Sequence, residues 1–566
     1  MAADEPLRYR RLRAPVEDQT ALIDPSLAEI PALVEKNRRL TSSYEITKTG
    51  LDLKKLRKTQ QQALVSCAHV FTDEYRDASL ANSPASGMSV ILAGHQPELF
   101  HPGVWFKNFL LSEIARRVRG TAVNLIVDND IVGTTAMRVP TPHGDSLAAV
   151  EYDDRSAEIP FEERLIHNNE LFASFADRLR KVAPFASAPH ALLASRIWPL
   201  LRGRQNRRLA LPPEVHTDFW DWARQTPIGH PNNLGRNLAA ARHKYEETAG
   251  LRTLELPLSL VSRLEGFRNF TLHLCGRSTE LLLAYNTAVQ EYRTINRVKS
   301  KSHPVPALEQ DGEWTEVPFW IWTAEDPRRR RLFVRTTKRS IELTDRNKTF
   351  INFKWPRDHS PEVVASCEWY NQEPTASWRI RPRALITTMY ARLVLSDLFI
   401  HGIGGAKYDE VTDAIIRRFF GIEPPGFVTA TATVRLPLER PRVTHENLTA
   451  LDQKYRDTFH HPEAFLDDYS GHHQAEFAAL VKQKQELIAH QWEEKQKKTW
   501  HDQVRSANER MSSLLEPLRD QLKEQRERLL ADLHRARILG SREYSFCLFP
   551  EEMLVPLLKK MAGIQS

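Results

Sequence analysis

Residues Ser89–Asp130 constrain the fold of this 566-residue chain more than any other stretch. Ser89-Val90-Ile91-Leu92-Ala93 is a short apolar run with the character of a buried parallel strand. Gly94-His95-Gln96-Pro97-Glu98-Leu99-Phe100-His101-Pro102-Gly103 is too rich in Gly and Pro to extend it. From Val104 the pattern is helical: Trp105, Leu110, Leu111, Ile114, Ala115 and Val118 can share one face, and Gly120 ends the helix. Ala122–Val127 is a second apolar run, closed by Asp128-Asn129-Asp130. Strand, helix and strand in this order predict a parallel pair in an open α/β sheet, where ligands bind at the carboxyl ends of strands. Those ends are where His95, Gln96, Asp128 and Asp130 fall, so a candidate site is expected there.

Length suggests three or four domains. No apolar run approaches the roughly 20 residues that span a bilayer. The start, Met1-Ala2-Ala3-Asp4-Glu5-Pro6, lacks the apolar core of a signal peptide, so a cytoplasmic location is expected. The four cysteines (Cys67, Cys275, Cys367, Cys547) have no CxxC spacing. Free, buried thiols are expected from them, and no metal site. The net charge of +7 raises nucleic acid as a partner. Its basic clusters (Arg8-Tyr9-Arg10-Arg11, Arg328–Arg331, Lys495–Lys498) lie close to acidic residues, and no nucleic-acid motif accompanies them. A solvated basic surface, suited also to small anionic substrates, is the expectation.

Residues 1–80 read as an N-terminal helical arm, with helical spacing over Leu51–Val70. Residues 81–440 read as an α/β core. Within it, about 145–375 form helical and small β connecting regions. Amphipathic segments are expected near Glu162–Val182 and Glu214–Arg224, and helices over Asn237–Gly250 and Leu274–Val298. Val317–Trp322, Leu332–Thr336 and Ser340–Leu343 are rich in β-branched and aromatic residues and predict a small antiparallel sheet, with Glu325-Asp326-Pro327 as a turn. Residues 441–540 are polar and helix-forming. Met511, Leu515, Leu518, Leu522 and Leu529 recur with coiled-coil-like spacing. Two antiparallel helices joined near Thr499–Arg505 are expected, with a kink or a helix start at Pro517. Residues 541–566, with Tyr544–Glu552, read as a return segment against the body.

A second polar loop follows the apolar stretch Ala384–Ile400. In His401-Gly402-Ile403-Gly404-Gly405-Ala406-Lys407-Tyr408-Asp409-Glu410, three glycines allow a backbone to approach a ligand closely. His401, Tyr408 and Asp409 add acid–base and hydrogen-bonding groups. Upstream, Arg381 and Arg383 could clamp an acidic substrate or simply flank a proline. At the first loop, His95 could exchange protons and Lys107 could pair with phosphate or carboxylate. The alternative there is a turn with an exposed His and a surface Lys. Asp128 and Asp130 could bind a hydroxyl or an amine, or serve as helix caps.

These two loops, in this order and followed by a helical hairpin, resemble the family of the cysteine-adding enzyme of bacillithiol biosynthesis. The matching positions are Gly94-His95-Gln96, Pro102-Gly103, Lys107, Asp128-Asn129-Asp130, Arg381-Pro382, Gly404-Gly405, Asp409 or Glu410, and Phe420-Gly421. His stands where the family has its first Gln, the Gly-Pro order is reversed, and the acidic motif lacks its histidine. The resemblance implies a Rossmann-like core with connecting elements and a C-terminal antiparallel coiled coil that pairs two subunits. It implies a ligase-like enzyme that adds an amino acid, cysteine, to an amine-bearing sugar conjugate, with ATP and Mg as possible cofactors. Gly94, His95, Gln96 and Lys107 would form one wall, Asp128 and Asp130 would hold the amine, and His401, Gly404, Gly405, Tyr408 and Asp409 would form the other wall. Arg381 would bind the substrate carboxylate. Two other readings of the same residues are a nucleotide-dependent transferase, which has neither a Walker A nor a GxGxxG sequence here, and a non-catalytic coiled-coil scaffold.

Overall fold

The computed structural model describes residues 12–80, 88–156, 158–183, 232–300, 302–303, 305–338, 340–354, 378–467 and 472–565. The basic cluster Arg8–Arg11, the expected helix Glu214–Arg224 and Cys367 lie outside the described residues. The protein is mixed α/β and divides into two compact units. The first is Met1–Val139, Ala149–Arg435 and Arg542–Ser566; the second is Pro140–Ala148 and Leu436–Ser541. The chain thus has fewer compact units than its length suggests, because the segments taken as an arm, a core and a return share one unit. No described helix is long and apolar enough to cross a membrane.

In chain order the elements are β1 (Thr20–Asp24), α1 (Ile30–Ser42), α2 (Leu53–Asp73), β2 (Val90–His95), α3 (Pro102–Arg117), β3 (Thr121–Ile126), β4 (Ala136–Pro140), β5 (Leu147–Glu151), α4 (Asn169–Val182), α5 (Leu234–Thr248), β6 (Leu254–Pro257), α6 (Glu265–Gly276) and α7 (Ser278–Ile295). There follow β7 (Gln310–Asp311), β8 (Trp314–Thr323), β9 (Arg330–Thr336), β10 (Ser340–Thr344), β11 (Thr349–Lys354), β12 (Trp378–Pro382), α8 (Ala384–Tyr390), β13 (Leu398–His401), α9 (Ile403–Phe420) and β14 (Val428–Thr433). The helices α10 (His445–His460), α11 (Gln474–Ala489), α12 (Lys497–Leu514), α13 (Glu516–Leu539) and α14 (Glu551–Ala562) complete the chain.

The main sheet of the first unit has the order β1-β14-β13-β2-β3-β6. Every pairing from β14 to β6 is parallel, and β1 closes the edge antiparallel, Thr20 opposite Thr433 and Asp24 opposite Thr429. The arm expected at residues 1–80 therefore contributes a sheet strand as well as helices. In order of appearance the five parallel strands lie 5-4-1-2-3. The order reverses between β2 and β13, and open α/β sheets bind ligands in a crevice at the carboxyl ends of strands at such a reversal. Ile91, Leu92 and Ala93 on β2 are fully buried, as are Val123 on β3, Ile400 on β13, and Val428 and Ala430 on β14. Apolar side chains on both strand faces are what a sheet covered on both sides requires. Helix α3 packs on β2, β3 and β14, α9 on β13 and β14, and α2 on β6.

The second sheet of this unit is antiparallel, in the order β11-β10-β9-β8-β12 with β7 also on β8. Three of its strands match those expected. β7, β11 and β12 were not anticipated, although Trp378-Arg379-Ile380-Arg381-Pro382 of β12 alternates apolar and basic residues as a strand does. Its side chains join one continuous core with the main sheet, Val317, Leu332 and Ile380 packing with Leu385 and Tyr390. The apolar stretch Ala384–Ile400 is not one element: α8 passes through a π-helical turn, Ala391–Leu395, into β13. The glycines at 404 and 405 lie in the first turns of α9 rather than in a loop. Gly421 ends α9 at φ 73°, the left-handed conformation that glycine adopts without strain.

The second unit is helical. Phe465, Phe477, Leu480, Val481, Ala507, Met511 and Leu515 form its core. Arg510 pairs with Glu476 and Arg526 with Asp452, so the two legs run antiparallel. The legs are joined at 490–496 rather than near Thr499–Arg505. The indole N–H groups of Trp492 and Trp500 both donate to Leu487 O, at 2.9 Å each, and fix the turn early. Pro517 sits in the first turn of α13, where its missing N–H costs nothing.

Candidate functional site

The crevice is built by two strand-to-helix junctions. β2 ends at His95, and α3 begins at Pro102 with His101 as its cap, Nδ1 accepting from Gly103 N–H at 3.1 Å. β13 ends at His401, and α9 begins two residues later, at Ile403, with Gly402 as its cap. Both helices direct their N-terminal N–H groups toward the strand ends, which favours negative charge there.

Lys107 stands at the first junction. It is buried, and its ammonium donates to Gly94 O at 2.9 Å. Burial pushes its pKa down to about 8. Its charge is felt by both loop histidines. His95 is driven down to about 3 by burial and then by Lys107. His401 is lowered first by burial and also by Arg392 and Lys107, against the opposing pull of Asp409. Both imidazoles are therefore neutral at pH 7.

His401 stands beside a carboxylate, in ion-pair distance but without hydrogen-bond geometry at its ring nitrogen. Its Nε2 lies 2.7 Å from Asp409 Oδ2. Asp409 in turn accepts from Thr388 Oγ1 at 2.6 Å and from Arg392 Nη1 at 2.7 Å. Burial raises the pKa of Asp409, but His401 and Arg392 outweigh it and hold the carboxylate well below its usual range. The other ring nitrogen faces the glycine turn: a Cβ on Gly405 would stand 2.8 Å from Nδ1, while one on Gly402 or Gly404 would meet open space. Gly405 is thus needed beside the imidazole, and Gly402 and Gly404 border open space.

On the far side of β2, Gln96 Nε2 donates to Asp130 Oδ2 at 2.8 Å, and Arg329 Nη1 donates to Asp130 Oδ1 at 2.9 Å. Asp130 keeps about a third of its side chain exposed. Asp128, two residues earlier, is turned inward. It accepts from Ser259 N–H at 2.8 Å and from the Ser259 hydroxyl, capping the single turn Leu258–Val261. Burial and then Glu162 raise its pKa to about 7. Of the two carboxylates expected to hold an amine, Asp130 is placed to do so and Asp128 is committed to structure.

The arginines are likewise divided. Arg381 spends its guanidinium on both oxygens of Glu162, at 3.0 and 3.2 Å from Nε and 3.0 Å from Nη2, and on Ile380 O. It is a buried structural pair rather than the substrate clamp expected. Arg383 pairs with Glu316 at 2.8 Å and lies over Trp320, 4.2 Å from the ring centre. Arg329 covers the same ring at 4.9 Å. Tyr408 points elsewhere, meeting His303 edge-on at 5.7 Å. Gly94 sits against β3, where a Cβ would come 3.2 Å from Leu125 O.

Arg329, Arg392, Thr388, Glu162 and Ser259 were not anticipated. Arg329 lies in the run Arg328–Arg331 that read as solvated surface. Its only sequence signal was the turn Glu325-Asp326-Pro327, which forms as expected between β8 and β9 and turns the arginine toward β3. Arg392 and Thr388 sat inside an apolar stretch and carried no motif.

A second polar group, His243, Glu246 and Glu255, lies buried between α5 and β6 with ligand atoms close enough for a metal ion. Its groups already serve one another. Glu246 Oε1 accepts from Trp105, Asn108 and Arg242 at 2.7–2.8 Å. His243 Nε2 lies 3.0 Å from Thr253 O, so this nitrogen carries the proton and Nδ1 accepts from Tyr75 OH at 2.8 Å. The cluster is a satisfied internal network. Cys67, Cys275 and Cys547 are free and buried, and burial pushes each thiol up to about 12.

The chain matches no protein-family model and no curated protein.

Proposed function

We propose that the first unit is a Rossmann-like core carrying a ligase-like active site, which joins an amino acid, cysteine by resemblance, to the amine of a sugar conjugate. The observation that carries this reading is His401 at the strand-order reversal, its Nε2 2.7 Å from Asp409, with the buried Lys107 at Gly94 adding its charge to the surroundings of both His401 and His95. Forming the amide joins the amine nitrogen to the carboxyl carbon and expels one carboxyl oxygen, as water or, after activation by ATP, as phosphate. The amine must lose a proton as it attacks. His401 can take it because burial keeps the imidazole unprotonated, and Asp409 stabilises the imidazolium that results. Lys107 and the two helix N-termini favour negative charge on the departing oxygen. Gln96, Asp130 and Arg329 supply one partly open carboxylate to hold the attacking amine.

The helices α10–α13 we read as an antiparallel coiled coil that pairs two copies. Phe459, Ile488 and Leu530 are large apolar side chains left exposed there. A dimeric mass for the whole chain that becomes monomeric in Ile488→Glu/Leu530→Glu supports this; a monomer from the outset removes it. Such an enzyme would work in the cytoplasm.

The activity is tested by mass spectrometry after incubating the protein with cysteine and glucosaminyl-malate, with and without ATP-Mg. A condensed product that disappears in His401→Ala supports the assignment. No product from the parent protein removes this substrate pair, and product formed at full rate by His401→Ala removes the proposed base.

A further inference from the structure

Asp409 meets two nitrogens with one oxygen. Thr388 holds Oδ1 at 2.6 Å, while Oδ2 lies 2.7 Å from Arg392 Nη1 and 2.7 Å from His401 Nε2. The carboxylate is aimed at the guanidinium: Nη1 donates a hydrogen bond to Oδ2, and Nε2 makes none among the described residues. That arrangement suits a neutral imidazole. An imidazolium carries a proton on both nitrogens, and the one on Nε2 would be buried without an acceptor.

Arg392 has a second carboxylate in reach. Its Nη1 also stands 2.7 Å from Oδ1 of Asp413, one helical turn past Asp409 on α9. Asp413 Oδ1 is a buried oxygen that likewise makes no hydrogen bond among the described residues, although the side chain as a whole is 22% exposed. The row His401, Asp409, Arg392, Asp413 thus has an unmade bond at each end and a made one in the middle. Nη2 is pinned on Pro425 O, and the guanidinium lies over the ring of Phe427 at 4.8 Å, so Nη1 can turn between the carboxylates while the group stays in place. Of the other charges nearby, Lys107 of α3 opposes a proton on His401. Arg417, also on α9, attracts Asp413 while paired with Glu423, and Lys36 of α1 lines the same cavity as Asp413.

We infer that Asp413 is a positioning residue for the proton acceptor His401: when the imidazole takes a proton, Arg392 Nη1 moves its hydrogen bond from Asp409 to Asp413, and Asp409 Oδ2 turns to the imidazolium. His401 gains one proton from the attacking amine, one N–H···O bond changes its acceptor, and no covalent bond within the row breaks. Without Asp413 the guanidinium stays on Asp409, the imidazolium lacks its acceptor, and His401 is a weaker base. The inference rests on His401 as the base of the proposed reaction, but the linkage can be read without turnover.

NMR titration of the whole chain carrying isotope-labelled histidine and arginine tests it, with His401→Gln and Arg392→Lys identifying the signals. In Asp413→Ala the His401 midpoint is expected to fall by about one pH unit, a tenfold loss of proton affinity, and in Asp413→Glu to return toward the parent value. Should Asp413→Ala not fold, the parent protein alone decides: its Arg392 Nη signals should move with the same midpoint as His401. An unchanged His401 midpoint in folded Asp413→Ala, Arg392 signals indifferent to His401 protonation, or an imidazole that binds no proton before acid unfolding would each overturn the proposal. A lowered midpoint in a protein that forms no ligase product would keep the switch and remove only the ligase reading.

Discussion

Nε2 of His401 lies 2.7 Å from Oδ2 of Asp409, and both residues come from one strand-to-helix junction, eight positions apart in sequence. The strand end delivers the imidazole, and the second turn of α9 brings the carboxylate back beneath it. Asp409→Asn keeps the shape but removes the charge that would stabilise an imidazolium and offsets Arg392. Turnover of the ligase product should fall by roughly a hundredfold or more, as for loss of a general base. Breaking the buried pair should also cost about 3–5 kcal/mol of stability in denaturant titration. Full turnover in Asp409→Asn would remove Asp409 from the mechanism.

The two glycines of the same turn should respond differently to one methyl group. A Cβ on Gly405 collides with His401 Nδ1 at 2.8 Å, whereas Gly404 has open space. Gly405→Ala should displace the imidazole and depress activity strongly. Gly404→Ala should retain it and, being in a helix, stabilise by about 0.5–1 kcal/mol. Thermal melting and turnover of the pair read both effects, and equal behaviour of the two variants would contradict the geometry.

Asp128 makes stability depend on pH with a definite sign. Its folded pKa, about 7, lies well above the ordinary carboxylate value of about 3.9. The folded protein therefore keeps a proton that the unfolded chain has released between pH 4 and 7. The contribution is fully present below pH 4 and is lost as pH rises through 7, on the order of 4 kcal/mol in all. Asp128→Asn, which cannot ionise, should lack this dependence. The difference in unfolding free energy between variant and parent should shift toward the variant from pH 4 to pH 8; a constant difference would refute the buried, protonated carboxyl.

Lys107 behaves in the complementary way. Its pKa falls from 10.5 to about 8, so below pH 8 the folded protein carries a buried charge at a cost of roughly 3 kcal/mol. Lys107→Met should be at least as stable as the parent at pH 7, with its advantage shrinking above pH 8 as the parent amine loses its proton. Product formation should be lost at every pH. Urea titrations at pH 7 and pH 9.5 separate these effects, and a large loss of stability at pH 7 would mean that the ammonium is a structural donor rather than a strained one.

In the second unit, Phe477 and Met511 are fully buried in a core of few side chains. Phe477→Ala should cost about 3–5 kcal/mol. Hydrogen exchange should show the loss in α11 and α12, with β2 and β3 still protected.

The β2–α3–β3 unit was legible because its signals are local. Apolar runs set the strands, Gly and Pro end them, and the period changes from a buried run to helical spacing within a few residues. The crevice was legible for the same reason: a polar residue at a strand end is visible in one dimension. Pro517 and the turn at Glu325-Asp326-Pro327 belong to the same class, since each depends on backbone preferences of one or two residues.

What the sequence by itself determined is which residues stand at strand ends and helix starts: His95, Gln96, Asp130, His401 and the glycines that follow. Only the tertiary structure decided what each can do. Asp128 and Asp130 look alike in the chain, yet Ser259, 131 positions on, buries one, while Arg329 meets the other at the surface. Arg381 is taken by Glu162, 219 positions away. Arg392, set among apolar residues, became the partner of Asp409 because a charge enclosed in a low-dielectric core must find an opposite one. Such pairings cost or stabilise through desolvation and distance, quantities that exist only once the chain has closed on itself.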